Sequence, residues 1–170
     1  MYEHDASNSG IVTANRMLAE SNCHNMSKLV INGMDAIPPE LIAYTGLTHL
    51  DLNGPTNADD VMVLIHRMPR LMSLSVISLN LADAQTDFSI PQRAEHEPVV
   101  PLNTQIKTLA ISPFDPRESN LTLSMLKYLM LRTPTLKSVT AAFAPVEEIQ
   151  AFIDEYVLWY PHLANIELVR

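Results

Sequence analysis

The sequence predicts an α/β solenoid, with short parallel strands on one face and helices on the other. Two observations predict it, and a third supports them. First, apolar residues recur at positions one, four and six of a short segment. The sets are Met26-Leu29-Ile31, Leu47-Leu50-Leu52, Leu71-Leu74-Val76, Ile106-Leu109-Ile111, Leu136-Val139-Ala141 and Leu163-Ile166-Leu168. The last two residues of each set alternate with others, which places them on one face of a strand. Second, a proline stands two residues before the first anchor in Met68-Pro69-Arg70-Leu71, Thr133-Pro134-Thr135-Leu136 and Tyr160-Pro161-His162-Leu163. Proline biases its predecessor away from helical geometry, so it ends a helix and releases the chain into a strand. Third, helical apolar spacing precedes each of these prolines.

The helices follow in order. Residues 11–22 carry Ala14, Met17 and Leu18 on one side. Residues 57–68 begin with Asn57 as a cap and with Asp59 and Asp60 in the first turn, where carboxylates suit the helix dipole; Val61, Leu64, Ile65 and Met68 form the apolar stripe. Residues 119–132 turn Leu126, Leu129 and Met130 inward, and residues 146–159 turn Ile149, Phe152, Ile153, Tyr156 and Val157 inward. First anchors are spaced by 21, 24, 35, 30 and 27 residues, so some connections carry insertions. A unit of this size cannot bury its own apolar face, and stacked neighbours must supply the core. The expected organisation is one domain over residues 1–170, six strand units, and an irregular insertion at 78–104. That insertion holds Pro91, Pro98 and Pro101 with no sustained period. It is expected to be an unstructured segment or, through Phe88, Ile90, Val99 and Val100, a binding segment.

Ile37-Pro38-Pro39-Glu40-Leu41-Ile42, followed by Gly46 and the run LTHLDLNG, resembles a leucine-rich repeat in its L-x-x-L-x-L segment. The irregular spacing and the helix-Pro-x-Leu pattern resemble the repeat region of F-box/leucine-rich-repeat proteins, over about residues 11–170. One feature of the family is missing. The Asn or Cys three positions after the last strand leucine is replaced by Met34, Pro55, Leu79, Phe114 and Ala144, so the turns must be closed in another way. The F-box itself, a small helical domain, is not detected: the anchor Leu47 follows Ile37 too closely for its helices.

Composition narrows the function classes. A net charge of −8 without a Lys/Arg run argues against nucleic acid as the main ligand. No apolar stretch reaches the roughly 20 residues of a membrane helix, and the N-terminus lacks signal-peptide features, so a cytoplasmic or nuclear protein is expected. Chemistry-bearing residues are scattered. Cys23 adjoins His24 without an orienting third group, and His4, His24, His49, His66, His96 and His162 show no metal-ligand spacing. Asp59-Asp60 and Glu147-Glu148 read as dipole partners at helix starts. No catalytic residue, metal or cofactor is expected.

Strand residues between the anchors project onto the face away from the helices, expected to be concave. They are Lys28, Val30 and Asn32; His49, Asp51 and Asn53; Ser73, Ser75 and Ile77; Thr108, Ala110 and Ser112; Ser138, Thr140 and Ala142; Asn165, Glu167 and Val169. The middle is small and hydroxyl-rich, with charges nearer the ends. The resemblance implies a non-enzymatic module binding a protein partner there, as the substrate-recognition repeats of an F-box-like ubiquitin-ligase receptor. A stand-alone repeat protein that regulates an enzyme by covering it, or a remnant of a longer repeat protein, fits the same pattern.

Overall fold

The computed structural model describes residues 27–33, 37, 41, 46–90, 99–102 and 104–169. Six strands, β1 Lys28–Asn32, β2 His49–Asn57, β3 Ser73–Asn80, β4 Thr108–Pro113, β5 Ser138–Thr140 and β6 Glu167–Val169, form one sheet in the order β1-β2-β3-β4-β5-β6. Every pairing is parallel. Among the described residues the helices are α1 Ala58–Arg67, α2 Ser119–Arg132 and α3 Val146–Tyr156. Parallel neighbours joined in sequence order step always in one direction, and the right-handed crossover rule then places α1, α2 and α3 over the same side of the sheet. The strand and helix residues buried there form a single apolar cluster.

The register shows why the sheet holds together. Leu29, Leu50, Leu74, Leu109 and Val139 are successive partners across five strands, and Ile31, Leu52, Val76 and Ile111 form a second row beside them. Both rows are the predicted second and third anchors. Buried on one face and alternating with half-exposed residues, they produce the period-two pattern of a sheet covered on one side. Ala141 lies one residue past β5 and is still buried. The sixth unit differs from expectation: Val139 pairs with Leu168, so Leu168 holds the place predicted for Ile166. The cause is local. Residues Pro161–Asn165 form a 3-10 helix, closed by Ile166 N–H to the Leu163 carbonyl at 3.1 Å, which uses two more residues before the strand begins.

The three proline lead-ins are three copies of one turn. The leucine N–H closes onto the carbonyl of the residue before proline: Leu71 to Met68 at 3.0 Å, Leu136 to Thr133 at 3.1 Å, Leu163 to Tyr160 at 3.0 Å. Backbone angles of the pre-proline residues match, at φ −115 and ψ 74 for Met68, −116 and 81 for Thr133, and −126 and 74 for Tyr160. All three lie outside the helical region, which proline disfavours in its predecessor. The turn drives its leucine inward, and Leu71, Leu136 and Leu163 are each fully buried.

Another repeated contact joins unit to unit. The Ser27 carbonyl accepts both Thr48 and His49 N–H at 2.9 Å; the Thr48 carbonyl accepts Met72 at 2.8 Å and Ser73 at 3.0 Å. The Met72 carbonyl accepts Lys107 and Thr108 at 2.8 and 3.1 Å, and the Lys107 carbonyl accepts Lys137 and Ser138 at 2.8 and 2.9 Å. Finally Glu167 N–H reaches the Lys137 carbonyl at 2.8 Å. Each strand therefore starts at the same level as its predecessor.

Asn57 caps α1 as expected, its side chain accepting from Asp59 N–H at 2.8 Å. Val61, Leu64, Ile65 and Met68 are all buried. Helix α2 has the predicted bounds but is buried on more of its circumference, adding Thr122, Leu123, Met125 and Leu131 to the predicted face. Helix α3 ends at Tyr156, short of the predicted 159, and residues 157–159 form a turn ahead of the Tyr160-Pro161 lead-in. The predicted helix 11–22 and the anchor Met26 lie outside the described residues.

Strands β2 and β3 run beyond their third anchors. Between Leu52 and Pro55, and again between Val76 and Leu79, the leading strand carries one more residue than its partner, and pairing then resumes. Such bulges tolerate Pro55 within a strand. They also fall where the leucine-rich-repeat resemblance would place an Asn or Cys. At those positions the backbones pair directly, Pro55 with Ser78 and Leu79 with Pro113, and Phe114 N–H bonds the Leu79 carbonyl at 2.8 Å.

Replacing Pro69, Pro134 or Pro161 by alanine is expected to cost about 0.4–1 kcal/mol each, through the freer unfolded chain. The losses at Pro69 and Pro161 should add, whereas Pro134 and Pro161 are coupled through the Met130 carbonyl that His162 bonds. Leu71→Ala or Leu136→Ala should cost about 2–5 kcal/mol by opening a core cavity. Urea denaturation of single and double variants checks both expectations.

Candidate functional site

The face opposite the helices carries most of the predicted residues in two registered rows. The first runs Lys28, His49, Ser73, Thr108, Ser138, Glu167; the second runs Val30, Asp51, Ser75, Ala110, Thr140, Val169. At a strand spacing of about 4.8 Å each row spans roughly 24 Å. Interior members of the second row are half-buried, and the small side chains leave a low-relief surface. Among the described residues, the hydroxyls of Ser73, Ser75, Thr108, Ser138 and Thr140 make no hydrogen bond, and none is sealed from solvent.

The two sides of this face are not alike. Toward β1 the polar groups engage one another. Lys28 Nζ lies 3.5 Å from Asp51, Asn53 Nδ2 donates to Asn32 Oδ1 at 2.8 Å, and His49 Nδ1 lies 2.9 Å from the Thr48 hydroxyl. Asn53 Oδ1 is buried without a partner among the described residues. Across β3 to β5 the surface is uncharged. Ser112 does not share the freedom of the other hydroxyls, because its Oγ donates to the Ile77 carbonyl and bridges the second bulge. Asn165 stands apart from the rows, in the 3-10 helix before β6. Ala142 lies in the turn after β5.

The insertion is partly built into the fold. Residues 78–80 belong to β3, and residues 81–90 pack back onto the helices. Leu81 and Phe88 are buried, and Phe88 meets Tyr128 of α2 edge-on with centroids 5.4 Å apart. Ile90 packs on the core, whereas Val100 is 72% exposed. Phe88 and Ile90 therefore serve the interior rather than an exposed binding segment. Residues 91–98 lie outside the described residues.

Asp59 fastens this segment. Its carboxylate accepts Gln85 N–H at 2.7 Å, Thr86 N–H at 2.9 Å and the Thr86 hydroxyl. The Gln85 N–H above all, then the Thr86 hydroxyl, hold its pKa below the ordinary 3.8, against a smaller opposing effect of desolvation. The sequence placed Asp59 in the first turn of a helix; its partners 26 and 27 residues away have no local signal.

Other candidates for chemistry are dispersed. His66 Nδ1 donates to the Met62 carbonyl at 2.7 Å and His162 Nε2 to the Met130 carbonyl at 2.9 Å. Glu148 pairs with Lys127 at 3.3 Å, joining α3 to α2. Cys23 and His24 lie outside the described residues. A cavity of about 340 Å³ opens between the ends of β5 and β6 and the start of α3, lined by Ala141, Ala142, Ala144, Val146, Glu147 and Val169. Among the described residues no three His, Cys, Asp or Glu groups gather to hold a metal, and no helix is long and apolar enough to cross a membrane.

Fold and site together define an α/β protein with an all-parallel six-stranded sheet in consecutive order, with no helix among the described residues on the face that carries the two rows. No protein-family model, curated protein or solved structure matches the chain.

Asp59→Asn should loosen the 81–90 segment and lower stability at neutral pH by about 1–2 kcal/mol, the scale of hydrogen bonds to a charged acceptor. The folded-state pKa is depressed, so this stabilisation is present above 3.8 and is lost as pH falls through the folded value. Urea denaturation from pH 7 downward should show the variant and the parent converging at acid pH.

Proposed function

We propose that this chain is an irregular leucine-rich-repeat-like solenoid and a non-enzymatic protein-interaction module, holding its partner on the open face of the sheet. The observation that carries this reading is the hydroxyl field at the centre of that face: Ser73, Ser75, Thr108, Ser138 and Thr140 present hydrogen-bonding groups that no described residue uses. These hydroxyls are open to solvent, so a partner can take them in exchange for water. Small side chains over about 24 Å admit the close approach of a partner's backbone or helix. Repeat proteins bind partners on extended strand surfaces of this kind. The Lys28–Asp51 pair beside the field supplies charged groups that set orientation more than affinity.

Affinity purification of the intact protein from its own cells, compared with Asp51→Arg and Thr140→Arg, tests the reading. Each substitution puts a long cation onto the face and should reduce recovery of a specific partner at least about tenfold, with the circular-dichroism spectrum unchanged. An adaptor-and-cullin assembly among the lost partners identifies a ubiquitin-ligase receptor. A lost enzyme identifies a regulator. Recovery of every partner undiminished refutes the open face as the working surface.

A further inference from the structure

The two outermost strands of the described sheet complement each other. Among the described residues no strand lies beyond β1 or β6. In the first row the formal charges stand only at the ends, Lys28 on β1 and Glu167 on β6, with His49, Ser73, Thr108 and Ser138 between them. In the second row the ends are both valine, Val30 at 44% and Val169 at 41% exposure. On the core side the ends are Leu29 and Leu168, only partly buried where Leu50, Leu74, Leu109 and Val139 between them are buried.

The backbone matches as well. Glu167 N–H is spent on the Lys137 carbonyl just before β5, so strand alternation turns the Ile166 carbonyl and the polar groups of Leu168 outward. Ile166 stands immediately before β6, as Ser27, Thr48, Met72, Lys107 and Lys137 stand before their own strands. Its carbonyl is therefore the next acceptor in the row that starts every strand. On β1 the Ser27 carbonyl faces β2, which leaves the N–H groups of Lys28 and Val30 pointing away from the sheet.

We infer that this chain associates head to tail with a second copy of itself, β1 of one copy joining the β6 edge of the other as the next parallel strand. In that register Lys28 N–H meets the Ile166 carbonyl of the other copy. Lys28 then lies beside Glu167, Val30 beside Val169 and Leu29 beside Leu168, each pair favourable across a strand boundary. The Lys28 side chain is 62% exposed despite its contact with Asp51, which leaves its ammonium room to bridge both carboxylates. The contact uses different patches on its two sides and so leaves an unsatisfied end on each assembly, which lets it extend beyond a dimer. It does not depend on the open face being a binding surface.

Sedimentation velocity of the full chain over a concentration series tests the inference. The parent protein should grow in mass with concentration, and Lys28→Glu or Glu167→Lys alone should weaken association about tenfold by placing like charges side by side. Mixing the two variants should restore it, because each then finds an opposite charge on the other's edge. The double variant carrying both changes should also associate with itself. Circular dichroism reports whether each variant is folded, and the double variant keeps the test decisive if one single variant is not. A monomer at all concentrations, association indifferent to either reversal, or a mixture no larger than its components would overturn the proposal.

Discussion

Strands β2 to β5 each begin where the chain places two successive N–H groups on the carbonyl that stands just before the preceding strand. That contact recurs from Ser27 to Lys107 with both donors, and at Lys137 with Glu167 N–H. Parallel strands need long crossovers and gain nothing from a tight hairpin to set their register. Here the register is set at the starting end, by a carbonyl that admits only one alignment of the incoming strand. Once it is made, Leu50, Leu74 and Leu109 fall into one row on the core side, and Asp51, Ser75 and Ala110 into one row on the open side. A slip by one residue would exchange the two rows and carry leucines into solvent.

With the start of each strand fixed, the connections are at liberty to differ. The path from β2 to β3 is little more than α1, whereas that from β3 to β4 includes the 81–90 segment and residues beyond it. Longer surface connections cost only a slowly growing closure entropy. This chain offsets part of that cost by burying Leu81 and Phe88 and by holding Gln85 and Thr86 on Asp59. The lead-in turns have the converse role. Met68-Pro69, Thr133-Pro134 and Tyr160-Pro161 lead from helices of different lengths to the same leucine position, because proline keeps the preceding residue out of the helical conformation and the leucine N–H closes the turn.

The open face inherits its order from the core face. A strand that presents anchors inward at alternate positions must present the residues between them outward, in register with those of its neighbours. The hydroxyl field is therefore assembled from residues as much as 67 positions apart, Ser73 to Thr140, with no side-chain hydrogen bond among them. The same register carries Lys28 to one edge and Glu167 to the other, where their opposite charges match.

Much of this was determined by the sequence alone. The alternating anchors settle which face of β1 to β5 is buried, because period-two burial is a property of the strand itself. The Pro-x-Leu steps at Pro69 and Pro134 mark where α1 and α2 stop, because proline acts on its immediate neighbour, whereas α3 stops four residues before Tyr160-Pro161. Asn57 as a cap is legible for the same reason of proximity. What tertiary structure decided depends on partners far along the chain or on small shifts within a connection. Leu168 rather than Ile166 aligns with Val139, because the 3-10 helix at Pro161–Asn165 takes up two residues, and spacing alone assigns a leucine and an isoleucine equally well. Ser112 bonds the Ile77 carbonyl instead of joining the solvent-facing hydroxyls, because bulges one strand away bring that carbonyl within reach. Phe88 in an irregular run gives no periodic signal, and only the packed position of Tyr128 makes it a core residue.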